Sequence, residues 1–306
     1  MSLNLDYKTP TVLNVLIERI QNLKKSGKFE DAIRAAETAV ESARRLIEDR
    51  PDQIINLVTC LELLGNLLRI SGNELESESV YVEALSHEGS EKIETKQLAR
   101  IKSNLACIYD NNNLNDEAII LYNQAIDTFS SLTPSPEIEI ANIRNNLGML
   151  HKKKREFEVA ENNYMIALQA FENNKGATSE EAAAVYNNLG TLFYDSGLIN
   201  QSREMHEQAL EILIESKKSN NSDLGQSYSN LAASLEKLGE TDAAEKNYEL
   251  ALGLLETTLK DASDVYAIMC ENYCNLLIRI GKKRRAASVQ KKACLLYTSP
   301  SPRDRG

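Results

Sequence analysis

The sequence predicts an all-α protein built as an array of seven helix-turn-helix units. Three observations predict it. First, 306 residues hold only 6 Pro and 13 Gly, too few breakers to separate the many short elements of an all-β or α/β chain. Second, 42% hydrophobic residues suffice for a core, so the chain is not disordered overall. Third, one pattern returns along the chain at a fixed period, the signature of a stacked repeat architecture.

The period is 42 residues. The segments SNLACIYDNNNLNDEAIILYNQAI, NNLGMLHKKKREFEVAENNYMIAL, NNLGTLFYDSGLINQSREMHEQAL and SNLAASLEKLGETDAAEKNYELAL superpose with Ala106, Gly148, Gly190 and Ala232 in one column. LKKSGKFEDAIRAAETAV and LLGNLLRISGNELESESVYVEAL are earlier copies, and ENYCNLLIRIGKKRRAASVQKKA is a last one. The seven units span about 11–48, 52–89, 91–132, 136–174, 179–217, 222–260 and 263–293, with no domain boundary between them. Their turns fall at Gly27, Gly72, Asn113, Arg155, Gly197, Gly239 and Gly281.

Each unit reads as two helices. In the first, Leu147/Gly148/His151, Leu189/Gly190/Phe193 and Leu231/Ala232/Leu235 set a small residue beside an apolar ridge. In the second, Ala118/Tyr122/Ala125, Ala160/Tyr164/Ala167 and Ala244/Tyr248/Ala251 recur at i, i+4, i+7 on one face, and His206 stands in the tyrosine column. Small residues let the backbones approach, and the tyrosine is expected to fill the space between neighbouring pairs. Helix starts are expected at Ser135-Pro136-Glu137, at Thr178-Ser179-Glu180-Glu181 as a capping box, at Ser222-Asp223 and at Ser263-Asp264.

The two ends read differently. Residues 1–8 are expected to be disordered, without a basic region leading into an apolar stretch. No apolar run is expected to reach the roughly 18 residues of a membrane span, which predicts a cytoplasmic protein. Residues 294–306, beginning Cys294-Leu295-Leu296-Tyr297, break the pattern and look like the translation of a transposase sequencing adapter. They are expected to be read-through, the natural chain continuing past Ala293. Five scattered cysteines, Cys60, Cys107, Cys270, Cys274 and Cys294, fit reduced buried thiols rather than a disulfide frame or a metal site.

The repeat pattern resembles the tetratricopeptide repeat (TPR), in the 42-residue variety of kinesin light chains, over about residues 11–293. An ordinary repeat of that family has 34 residues, so the added length supplies about two helical turns, and long helices are expected. The resemblance implies a right-handed superhelical solenoid whose concave groove is lined by the first helix of each pair.

On those helices the faces Arg100/Asn104/Cys107/Asn111, Asn142/Asn146/Met149/Lys153, Ala184/Asn188/Thr191/Asp195 and Gln226/Asn230/Ala233/Lys237 are small, polar and mixed in charge, poor material for a core. Within them Asn104, Asn146, Asn188, Asn230 and Asn272 recur every 42 residues. Side-chain amides both donate and accept, which suits an extended peptide backbone, and the resemblance implies that role for these five. The competing reading is that they bond to an adjacent repeat. Asn145 and Asn187, one residue earlier, vary more and could tune specificity. Arg100 beside Asn104 forms part of a carboxylate clamp known in a related subclass, without its second cation. The runs Lys152-Lys153-Lys154-Arg155 and Lys282-Lys283-Arg284-Arg285 end first helices, where cations complement the helix dipole.

Nothing reads as catalytic. There is no GxG pair, no GxxxxGK loop and no GxSxG elbow, and His87, His151 and His206 lie far apart. With 35 Lys+Arg against 45 Asp+Glu, the net charge of −10 offers no electrostatic grip on nucleic acid or anionic membrane. The expectation is a non-enzymatic, cofactor-free scaffold that binds a protein or peptide partner, an extended peptide or a partner helix, in the groove. The alternative is a regulatory or sensory TPR region of a larger protein whose effector domain lies beyond Ala293.

Overall fold

The computed structural model describes residues 12–216, 220–257 and 263–298. The expected disordered N-terminus and the last eight residues of the adapter-like stretch lie outside them. The helices are α1 Val12–Lys25, α2 Phe29–Asp49, α3 Ile54–Ile70 preceded by a 3₁₀ turn at Pro51–Gln53, α4 Glu74–Leu85, α5 Thr95–Asn111 and α6 Asn115–Ser130. They continue as α7 Glu137–Lys153, α8 Phe157–Lys175, α9 Glu180–Asp195, α10 Ile199–Glu215, α11 Asn221–Lys237, α12 Thr241–Leu255, α13 Ser263–Arg279 and α14 Lys283–Thr298. Seven consecutive pairs result, and the described residues contain no strand.

Every pair is closed by one turn chemistry. Gly27, Gly72, Asn113, Arg155, Gly197, Gly239 and Gly281 all take positive φ, between 60° and 83°. The N–H after each bonds five residues back, as from Asn73 to Leu68, Glu156 to His151 and Leu198 to Phe193 at 2.8–2.9 Å. This is the left-handed helix ending for which glycine has no steric cost. Asn113 and Arg155 adopt it with a Cβ in place, and the Arg155 guanidinium lies 5.2 Å from the centre of the Phe157 ring.

The chain divides into two compact units, one up to Ile143 and one from Arg144, the division falling within α7. In the first unit α1 to α6 pack in succession, and α3 also touches α5. In the second, α8 to α14 pack in succession, and α9 touches α11 as α11 touches α13. The first helices α3 and α5 in the first unit, and α9, α11 and α13 in the second, therefore lie side by side.

The cores follow the repeat columns. Ala32, Ser77, Ala118, Ala160, Ser202 and Ala244 at the start of the first six second helices are wholly buried, and Ala286 of α14 is buried as well. One turn later the large column faces the small one within its own pair. A Cβ added to Gly65 would sit 2.5 Å from the Tyr81 ring, one on Gly148 2.5 Å from Tyr164, and one on Gly190 2.4 Å from His206. The ring thus fills a notch inside its own pair, and Tyr248 also meets the next pair as expected, stacking on Tyr273 of α13 with ring centroids 5.4 Å apart. In the first repeat the sizes are exchanged, with Ile20 in the small column and Ala36 in the large one, both buried.

Three expectations are corrected. Pro51–Ile70 is long and apolar enough to cross a membrane by length and composition alone. It is instead packed in protein, with Leu57, Val58, Leu61, Leu67 and Leu68 inside the first unit's core. At α9 the Ser179 hydroxyl caps Ala182 N–H at 3.2 Å, but the third helical position is Ala182, so no carboxylate reaches back and half of a capping box forms. At α11 the cap is Asn220, whose Oδ1 accepts from Asp223 N–H at 2.9 Å, two residues before the expected Ser222.

Candidate peptide-binding face

In the second unit the first helices expose the residue face expected of a groove. Met149, Lys153, Ala184, Asp195, Gln226 and Lys237 are exposed, and between them Asn146, Asn188, Thr191, Asn230, Ala233 and Asn272 are half-buried. In the first unit Arg100, Asn104 and Cys107 are half-buried and Asn111 is exposed.

The asparagine column is bonded laterally. Asn104 Nδ2 donates to Asn66 Oδ1 at 2.9 Å, and that oxygen also accepts the Tyr81 hydroxyl at 2.8 Å. Asn188 Nδ2 donates to Asn145 Oδ1 at 2.8 Å. In both cases an amide on one first helix donates to the preceding first helix, which fixes the side-chain plane. The competing reading of the sequence, adjacent-repeat bonding, therefore describes one arm of Asn104 and of Asn188.

Asn187 is held more tightly. Its Nδ2 donates to Ser227 Oγ on α11 at 2.6 Å, and its Oδ1 lies 3.2 Å from His206 Nδ1 on α10. Since Asn187 donates through nitrogen, its oxygen is the acceptor and His206 must carry its proton on Nδ1. Burial drives the His206 pKa down to about 4, with the Lys152 charge adding to the effect, so the ring is neutral. A tyrosine in this column reaches further along the first helix, Tyr248 Oη to Glu236 at 3.3 Å. The shorter imidazole meets Asn187 instead, and through it three helices are tied together.

Around these amides the surface sinks into a recess of about 150 Å³ lined by Glu180, Ala184, Asn187, Asn188, Leu213, Asp223 and Gln226. It brings together Asn187, Asn188, Ala184 and Gln226 from the face read off the sequence. Glu180, Asp223 and Leu213 were not singled out there. The two acids fall in the first helical turn, where the sequence offers a dipole explanation for any carboxylate, and Leu213 belongs to a second helix.

Arg100 is engaged within the chain. Its Nε and Nη2 donate to the two oxygens of Glu62 at 2.8 and 3.2 Å, and Gln97 Nε2 donates to the same carboxylate at 2.9 Å. Glu62 is 8% exposed, and its hydrogen bond is the main cause that raises the Arg100 pKa. An incoming carboxylate would have to compete with Glu62. With the 41-residue offset between the second and third repeats, Glu62 and Asn66 fall in the columns of Ser103 and Cys107, whose residue types vary from copy to copy, so no column singles them out. Lys152 likewise spans repeats, donating to Thr191 Oγ1 at 3.1 Å and pairing with Asp195 at 3.6 Å.

Among the thiols, Cys60, Cys107, Cys270 and Cys274 are free. Burial pushes Cys60 up to about 12 and Cys270 up to about 11, so both are unreactive thiols. No group of three His, Cys, Asp or Glu side chains able to hold a metal occurs among the described residues.

Tetratricopeptide repeat family models match residues 99–129, 139–215 and 224–263. The crystal structure of BtubC (BKLC) from P. vanneervenii is 33% identical, aligning 75% of this chain with 92% of that one at a TM-score of 0.64. The chain belongs to the tetratricopeptide repeat family. Two other TPR structures share its fold at lower identity. A TPR protein from Parabacteroides merdae ATCC 43184 is 18% identical, with 93% of each chain covered and a TM-score of 0.61. Kinesin light chain TPR-like repeats from Podosopora anserina are 14% identical over 68% of this chain and 97% of that one, at a TM-score of 0.54. No curated protein sequence matches the chain significantly. TPR arrays of this kind are protein-interaction scaffolds.

Proposed function

We propose that this TPR protein is a non-enzymatic scaffold that binds an extended segment of a partner protein along the first-helix face of its second unit. The observation that carries the reading is the recess at Asn187 and Asn188. Two adjacent amides of α9 open there on a polar surface, Asn187 oriented by its bond to Ser227 on α11 and Asn188 by its bond to Asn145 on α7. Pre-oriented amides can take up peptide N–H and C=O groups without first losing side-chain freedom, which lowers the cost of binding.

The test is the triple replacement of Asn146, Asn188 and Asn230 by Ala in the full chain. Removing the Asn188 bond to Asn145 costs about 1 kcal/mol, so the thermal midpoint should drop modestly while helical circular dichroism at 25 °C persists. Affinity capture followed by mass spectrometry should lose the partners bound by the parent protein. An unchanged partner set from the folded variant would overturn the proposal.

A further inference from the structure

The valences of the recess name the chemistry of what enters it. Asn188 spends an N–H on Asn145, and Asn187 spends one on Ser227. The two acids on the rim are bonded by uncharged groups, Glu180 Oε1 by the Ser216 hydroxyl at 3.0 Å and Asp223 Oδ2 by the Asn220 amide at 3.0 Å. Among the described residues, what remains beside one N–H on each asparagine and the Gln226 amide is an excess of acceptor oxygens, the Asn188 oxygen and two carboxylates with two formal negative charges, set in a chain whose net charge is −10. Ala184 and Leu213 add apolar wall beside them. At about 150 Å³ the space is that of a single side chain rather than a helix.

We propose that this recess receives the side chain of a lysine or arginine from the bound segment, an inference that rests on the peptide-binding reading of the face. Its methylene stem lies along Ala184 and Leu213 while its cationic head donates to Glu180, Asp223 and the Asn188 amide oxygen. Both residues are donor-only cations with long apolar stems, the complement of an acceptor-rich slot with an apolar wall. An acidic side chain is repelled there, and an apolar one of equal length brings neither carboxylate a counter-charge. The face therefore discriminates between segments by one basic position between the fifth and sixth repeats.

The experiment uses the full chain and a random-sequence peptide display library. Selected peptides should share one fixed Lys or Arg. In synthetic versions, replacing that residue by norleucine should weaken binding about tenfold in calorimetry, with the gap narrowing at high salt. In the Glu180→Gln/Asp223→Asn double variant, which keeps side-chain shape, the basic and norleucine peptides should bind equally. Selected peptides without a shared basic residue, or a tenfold preference that survives in the double variant, would overturn the inference and leave the peptide-binding face standing. If selected peptides bind the folded Asn146/Asn188/Asn230 alanine variant as well as the parent, or if no peptide is selected at all, the face reading itself fails.

Discussion

His206 shows how one substitution in a repeat column acquires a role of its own. Its pKa of about 4 in the folded chain lies below the 6.5 of an exposed histidine, so the unfolded chain takes up a proton first as pH falls. The stabilisation is complete above pH 6.5 and is lost progressively between 6.5 and 4, at up to about 1.4 kcal/mol per pH unit. His206→Tyr should remove that dependence, since a tyrosine occupies the same notch at Gly148. Urea midpoints of the two proteins should diverge as pH is lowered from 7 to 4, and parallel curves would show the ring to be solvated. Periodicity alone placed His206 in the column and marked it as a filler. Its bond to Asn187 was not legible, because it depends on how far an imidazole reaches compared with a phenol.

At the scale of the elements, the turns were the most legible feature of the sequence. All seven predicted turn residues have positive φ, including the two that are not glycine, because only the repeat column and not the residue type marks them. For Arg155 and Asn113 this leaves a cost of about 1 kcal/mol that glycine would avoid. Arg155→Gly and Asn113→Gly should each raise the thermal midpoint by a few degrees, with part of the Arg155 gain offset by loss of the Phe157 contact. The helix starts were less legible. Asn220 and Ser222 are both competent caps, and which of them serves depends on where α10 releases the chain. The exchanged columns of the first repeat give a sharper test. Ala36→Tyr alone should overpack the α1–α2 pair and destabilise by about 1–3 kcal/mol. Adding Ile20→Gly should recover a large part of that, measured as a coupling energy by denaturant unfolding.

For the whole molecule, a repeat array has stability that is local and nearest-neighbour in origin. α1 buries only Leu13 and Ile20, whereas α9 buries seven residues, Ala182, Ala183, Val185, Leu189, Gly190, Leu192 and Phe193. Amide hydrogen exchange should therefore be markedly faster in α1 than in α9, and equal protection would contradict the local picture. The fold class was readable from the 42-residue period because every copy repeats the same contacts. The proposed binding face was readable only as a column of amides. The recess was hidden because Glu180, Leu213 and Asp223 come from three helices and share no periodic signal with Asn187.

The phenol column has a further use. The chain contains 12 Tyr and no Trp, and burial raises Tyr81 to about 12 and pushes Tyr164 and Tyr248 higher still. An exposed phenol ionises near pH 10. Above that pH each of these rings stays protonated only while its own helix pair remains closed. Rising tyrosinate absorbance in alkali would then report, without any label, the opening of individual repeats.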